Sequence, residues 1–320
     1  MKRTAPALAA LLSPALLAAA LLAAQPAHAT VALPPQPQAQ ASAPLRVIAG
    51  HPVVLGLARQ LVKDTPIEIT PAAPARLPAS RQPAYLAGGK GLDELLTAAS
   101  QSQAVLTLRS VWPDDQLYPL ARRANIHIVE IDLATPIEGE LPGIALPAPT
   151  AGGDARPSVL IAQPWQDSAN LARMAMTLAD SLARLAPDHG PRLQANLIAI
   201  NQRLQQAQFE ASRQLAQADA LPALLLTPRV QTLAAALQLE AATWQAPQDD
   251  AQAPAALKAA IARHQPRVLL THTPPDEALS AAIAQSGALP VVVLRENAPD
   301  PVQALADAML ATAQALAPKN

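Results

Sequence analysis

The sequence predicts an α/β protein: two small parallel-sheet lobes joined by a long rigid helix, with a ligand cleft between the lobes. Three observations carry this reading. Short apolar runs alternate with amphipathic stretches on either side of the chain's middle, the pattern of parallel βαβ units. Residues 191–218 hold no Gly and only one Pro, Pro191, at the first turn, where proline suits a helix. Along that stretch Leu193, Leu197, Ile200, Leu204, Ala207, Ala211 and Leu215 recur at helical spacing and make one apolar stripe. At 1.5 Å per residue such a helix runs roughly 40 Å, enough to lie along both lobes.

Taken in order, the chain opens with Lys2 and Arg3, then an Ala/Leu run over 5–24, then the small residues Ala27 and Ala29. This is a secretory signal cleaved after Ala29, so residues 1–29 leave the mature protein and the periplasm is the expected compartment. Residues 30–44, rich in Pro, Gln and Ala, read as a disordered tether. The N-terminal lobe, 45–189, begins with a strand at 45–49 and a helix at 52–63. A strand at 67–70 follows. Leu92, Leu95, Leu96 and Ala99 then share one face of a helix at 92–100. A strand at 104–108, a helix at 114–124 and a strand at 126–131 complete the alternation. Pro and Gly make 134–157 a long loop. A helix at 168–185 is broken by Ala186-Pro187-Asp188-His189-Gly190 before the connecting helix, assigned to 190–218. The C-terminal lobe, 219–320, reads as strands at 223–226, 267–271 and 290–294. Its helices fall at 230–237, 255–263, 276–285 and 302–315.

Composition narrows the function. Net charge is −1 and no basic block occurs, which argues against nucleic acid and anionic membrane as partners. Aromatics make up 2% of the chain, too few for stacking bases or sugars. There is no Cys, so neither a lipid-bearing cysteine nor a disulfide is available. No G-x-S-x-G and no H-E-x-x-H occurs, and no catalytic constellation stands out, so the protein is read as a non-enzyme. A monomer is expected.

The segment Gln163-Pro164-Trp165-Gln166-Asp167-Ser168-Ala169-Asn170 is the most informative motif. With Leu185-Ala186-Pro187-Asp188 and Asn196, it resembles the solute-binding proteins of zinc and manganese ABC importers, over 45 to about 316. Those proteins read approximately D-P-H-x-W-x-D-P-x-N there, and Trp165, Asp167 and Asn170 keep the frame. The resemblance implies a carrier that holds a solute between its lobes for a membrane permease, with a divalent transition metal, zinc or manganese, as possible cargo. It also implies His ligands that this chain lacks. Gln163 stands at the His of the D-P-H-x-W motif, Thr227 near a second and Arg295 near a terminal Asp, while the region between the second strand and the 92–100 helix, where the first His is expected, has no His. A neutral amide is a poor transition-metal ligand, and a guanidinium repels a dication.

Two histidines end strands that face the cleft, His51 after the first and His272 in the C-terminal lobe. With Glu296 they form the candidate metal set, and Gln163, Trp165, Thr227 and Arg295 complete the expected cleft lining. The competing reading of each His is a loop hydrogen bond at a strand end, and that of Trp165 is packing. His127 is placed inside a strand, and His189 and His264 on the surface. The acidic pairs Asp114-Asp115 and Asp249-Asp250 read as solvated surface, and Gly88-Gly89-Lys90-Gly91 as a flexible turn before a helix. A second function stands beside the first: a non-transporting accessory protein on the same scaffold, with no small ligand.

Overall fold

The computed structural model describes residues 44–136, 143–145 and 163–318. The signal (1–29), all but the last residue of the tether and most of the 134–157 loop lie outside them. Strands β1 (Arg46–Ala49), β2 (Glu68–Pro71), β3 (Ala104–Thr107) and β4 (Val129–Asp132) form a parallel sheet in the order β2-β1-β3-β4. Strands β5 (Pro222–Leu225), β6 (Glu240–Thr243), β7 (Val268–Thr271) and β8 (Val291–Val293) repeat that order as β6-β5-β7-β8. Each pair of central strands is apolar because both faces of the sheet are covered. Along β1, Val47 and Ala49 enter the main core while Ile48 enters a satellite core on the other face. Along β5, Ala223 and Leu225 do the same, opposite Leu224. This is the two-residue period of a strand sandwiched between layers.

The described helices are α1 (Pro52–Leu61), α2 (Gln82–Leu86), α3 (Gly89–Ala99), α4 (Leu117–Ala121), α5 (Ser168–Leu185) and α6 (Gly190–Leu215), then α7 (Gln231–Ala236), α8 (Ala253–His264), α9 (Glu277–Gln285) and α10 (Pro301–Leu316). Helix α6 has 26 residues, about 39 Å of rise. All seven residues of its predicted stripe are buried. Its C-terminal end precedes the sequence-based estimate by three residues. The main core is continuous, joining β1 and β5 through α5, α6 and α10. No helix among the described residues is long and apolar enough to cross a membrane.

Several local expectations need correction. The helix placed at 114–124 is confined to α4, because the Asp115 carboxylate takes the Leu117 N–H at 3.0 Å and fixes the chain before it. His127 lies in an exposed turn, not a strand. Asn125 accepts the His127 N–H at 3.0 Å and donates to the Ala99 and Ser102 carbonyls, offering the backbone an alternative to the ladder. Gly89 and Gly91 open α3 rather than forming a flexible turn, and Gly91 lies against the Tyr85 backbone. The edge strand β6 and the short α2 carry no periodic signal long enough to read.

One contact between the sheet-bearing halves is set by a missing side chain. A Cβ on Gly56, inside α1, would lie 2.6 Å from Pro301 Cδ and 2.9 Å from the Pro299 carbonyl oxygen. Ala would favour the helix by about 1 kcal/mol over Gly, so the glycine is there for the close approach. Gly56→Val is expected to destabilise the protein by about 2–3 kcal/mol through overpacking, read as a lower urea midpoint. A midpoint that holds or rises contradicts the close approach.

Candidate functional site

In each sheet the order reverses between the two central strands, and ligands of such sheets bind beyond the carboxyl ends at that point. Past β1 come Gly50 and His51, and past β3 the loop with Trp112 and Asp115. Past β5 come Thr227 and Arg229, past β7 His272, and past β8 Arg295 and Glu296. Gln163, Trp165 and Gln166 come from the segment that enters α5.

His51 is 1% exposed. It is the N-cap of α1, and its Nδ1 accepts the Val53 N–H at 3.2 Å. That bond leaves the ring proton of the neutral imidazole on Nε2, which faces Glu296 Oε1 at 3.2 Å and donates to it. The ring is bracketed by two of the chain's three tryptophans. Trp112 stands edge-on with centroids 5.7 Å apart, and Trp165 lies tilted at 4.5 Å.

Glu296 is nearly buried, and each of its oxygens faces a different partner. Oε1 meets His51, and Oε2 lies 3.6 Å from the Arg229 Nη1. Burial alone would raise this carboxyl. The His51 hydrogen bond and the pull of Arg229 and His272 outweigh burial and hold it below its ordinary value of 4.5. His272 shifts down from its ordinary 6.5, chiefly by burial and then by Arg229, against the pull of Glu296. Its Nδ1 is buried without a hydrogen-bond partner. Of the sequence-predicted trio, the structure brings His51 and Glu296 into direct contact. Even so, no group of three or more His, Cys, Asp or Glu among the described residues is arranged to hold a metal ion.

The other expected residues divide. Gln163 is 1% exposed and sits in the left-handed region at φ 34°, ψ 66°, uncommon for a non-glycine. Its side-chain oxygen accepts from the Gln166 amide, leaving Gln163 Nε2 and Gln166 Oε1 without partners. Trp165 is buried against His51 and also lines a small cavity. Arg295 is exposed at the mouth of a cavity of about 20 Å³ lined also by Gln163, Trp165, Gln166 and Glu296. That is room for about one water-sized species. Thr227 spends its hydroxyl as a cap, accepting the Arg229 N–H at 3.3 Å.

The motif residues that keep their frame are fasteners. Asp167 caps α5 by accepting the Asn170 N–H at 2.8 Å. The Asn170 amide donates to the Pro164 and Ala145 carbonyls at 3.1 and 2.8 Å, and its oxygen accepts the Ala145 N–H at 2.8 Å. Sequence reasoning missed Arg229, Trp112 and the role of Asp115. Asp115 is buried, not solvated: its carboxylate takes the Leu108 and Leu117 N–H groups at 3.1 and 3.0 Å and closes the loop carrying Trp112. Burial pushes its carboxyl up, and those two bonds and His51 partly oppose the rise. The position of Trp112 just past a central strand is the signal that could have found it.

Residues 163–318 match the model of the family described as zinc-uptake complex component A, periplasmic. No curated protein matches the sequence significantly. Among solved structures, a zinc-bound deletion mutant of ZnuA is similar at 19% identity and TM-score 0.61, covering 87% of this chain and 100% of that one. The FpvC binding protein of Pseudomonas aeruginosa in complex with Mn2+ gives 15% and 0.63, with 86% and 98% covered. The Zn(II)-bound ZnuA-like domain of Streptococcus pneumoniae AdcA gives 13% and 0.61, with 86% and 99% covered. At these identities the likeness is one of fold, and the two-lobe α/β architecture is theirs.

The Glu296 shift has a definite sign. Its folded pKa lies below the unfolded one, so its stabilisation is present above 4.5 and lost as pH falls through the lower folded value. Between about pH 5 and pH 3 the urea midpoint of the wild type is expected to fall more steeply than that of Glu296→Gln. Parallel profiles would show that the carboxylate is not held as described.

Proposed function

We propose that this chain, whose residues 163–318 match the model of the periplasmic zinc-uptake family, is a solute-binding protein of an ABC importer serving metal uptake, with an altered metal site. It is a binding protein and not an enzyme. The observation that carries the reading is the Glu296 carboxylate, held at the carboxyl ends of both sheets between His51 from one lobe and Arg229 from the other. The working units are the N-terminal lobe 45–189, the connecting helix 190–218 and the C-terminal lobe 219–320. Export through a signal cleaved after Ala29 delivers the carrier to the periplasm, where a membrane permease receives its cargo.

Relatives of the same fold are described as bound to zinc, manganese or nickel, and a divalent transition metal is the cargo class carried over to this chain. The ligands available to it are His51, His272 and Glu296. A tetrahedral ion with ligands near 2 Å sets neighbouring donors roughly 3.3 Å apart. The 3.2 Å between His51 Nε2 and Glu296 Oε1 matches that spacing. The proton does not match: Nε2 carries it because Nδ1 accepts from Val53, so ligation through Nε2 sacrifices the α1 cap or leaves two donors facing each other. Gln163 adds only an amide where the family pattern has a His. These features support a metal site that is altered and weak.

The small cavity favours a second reading, a non-transporting accessory protein whose cleft is filled by its own side chains. Calorimetric titration of metal-stripped protein decides between the two. The carrier reading expects heat with zinc or manganese and a Kd above about 1 μM. No heat with zinc, manganese, iron or copper overturns it in favour of the accessory role.

A further inference from the structure

Among the described residues, the Arg229 side chain pairs with one carboxylate, that of Glu296. Its backbone belongs to the short 3-10 turn Pro228–Val230, which Thr227 caps. Its guanidinium reaches back over the strand ends to Glu296 Oε2 at 3.6 Å and remains partly exposed, at 29%. With His51 on Oε1, the two oxygens of the only carboxylate in the candidate set face a hydrogen-bond donor and an ion-pair partner of this chain. The same guanidinium bears on His272, whose Nδ1 is buried and has no partner. A dication entering here meets a fixed positive charge beside both of the ligands it needs. Like charges at such range repel strongly where solvent is sparse.

We infer that Arg229 is a resident counter-cation that sets the specificity of the cleft: it occupies the Glu296 carboxylate in place of cargo and discriminates against divalent metal ions. This rests on the proposed metal-carrier reading and names the residue that weakens the site. Removing the guanidinium frees Glu296 Oε2, while His51 still holds Oε1. Because Arg229 is partly exposed and Glu296 keeps its bond to His51, the fold is expected to survive the change.

The test uses the full mature chain as wild type, Arg229→Gln, Arg229→Met and Arg229→Lys, each stripped of metal and checked by its urea midpoint. Zinc and manganese affinities are read by competition with a chromophoric chelator. Arg229→Gln, or Arg229→Met should the first fail to fold, is expected to bind zinc at least about tenfold more tightly than wild type. Arg229→Lys, which keeps the charge, stays near wild type. A purely structural arginine would change the urea midpoint and not the metal affinity. Folded neutral variants that bind no better than a metal-binding wild type overturn the role of Arg229 alone. If neither wild type nor neutral variants bind any metal, both this inference and the carrier reading fall.

Discussion

A carboxylate removed from water must be matched by donors, because the ionised group loses far more solvation than a neutral one and cannot sit unpaired. Glu296 meets that demand from both halves of the molecule, taking an N–H from His51 past β1 and facing the guanidinium of Arg229 past β5. The rest of the cleft follows from keeping those donors in place. His51 is fixed by capping α1 and by its two tryptophan neighbours. Trp112 is fixed by the Asp115 loop, and Trp165 by the Asn170 stitches to Pro164 and Ala145. The glycine at 56 lets α1 approach the start of α10, close to the segment that carries Glu296.

The residues at 165, 167 and 170 serve the backbone and the packing of the cleft. Trp165, Asp167 and Asn170 pack, cap and tie down the backbone, and none of those tasks depends on what stands at position 163. Gln163 occupies a strained left-handed conformation with one amide atom unpaired. Arg229 and Arg295 bring positive charge to the ends of the second sheet's strands, and Arg229 pairs with the Glu296 carboxylate there.

Long periodic elements were legible in the sequence, and short or tertiary ones were not. The stripe of α6 and the bounds of α5 could be read because many residues vote for one face. The central strands could be read because burial on both sides makes them continuously apolar. β6, with sequence Glu-Ala-Ala-Thr, and α2 are too short to carry a period. Within the cleft, strand ends located His51, His272 and Glu296. No local pattern announces that Asp115 is buried by accepting two backbone N–H groups, or that Arg229 reaches across to a residue 67 positions later. Those are facts of tertiary packing.

The central claim is that His51 and Glu296 are energetically coupled across the cleft. A double-mutant cycle on urea stability, with His51→Ala, Glu296→Gln and the pair, isolates that term. A hydrogen bond to a charged, nearly buried carboxylate predicts a coupling of about 1.5–3 kcal/mol. Single-mutant effects that simply add, with coupling below about 0.5 kcal/mol, would contradict the account.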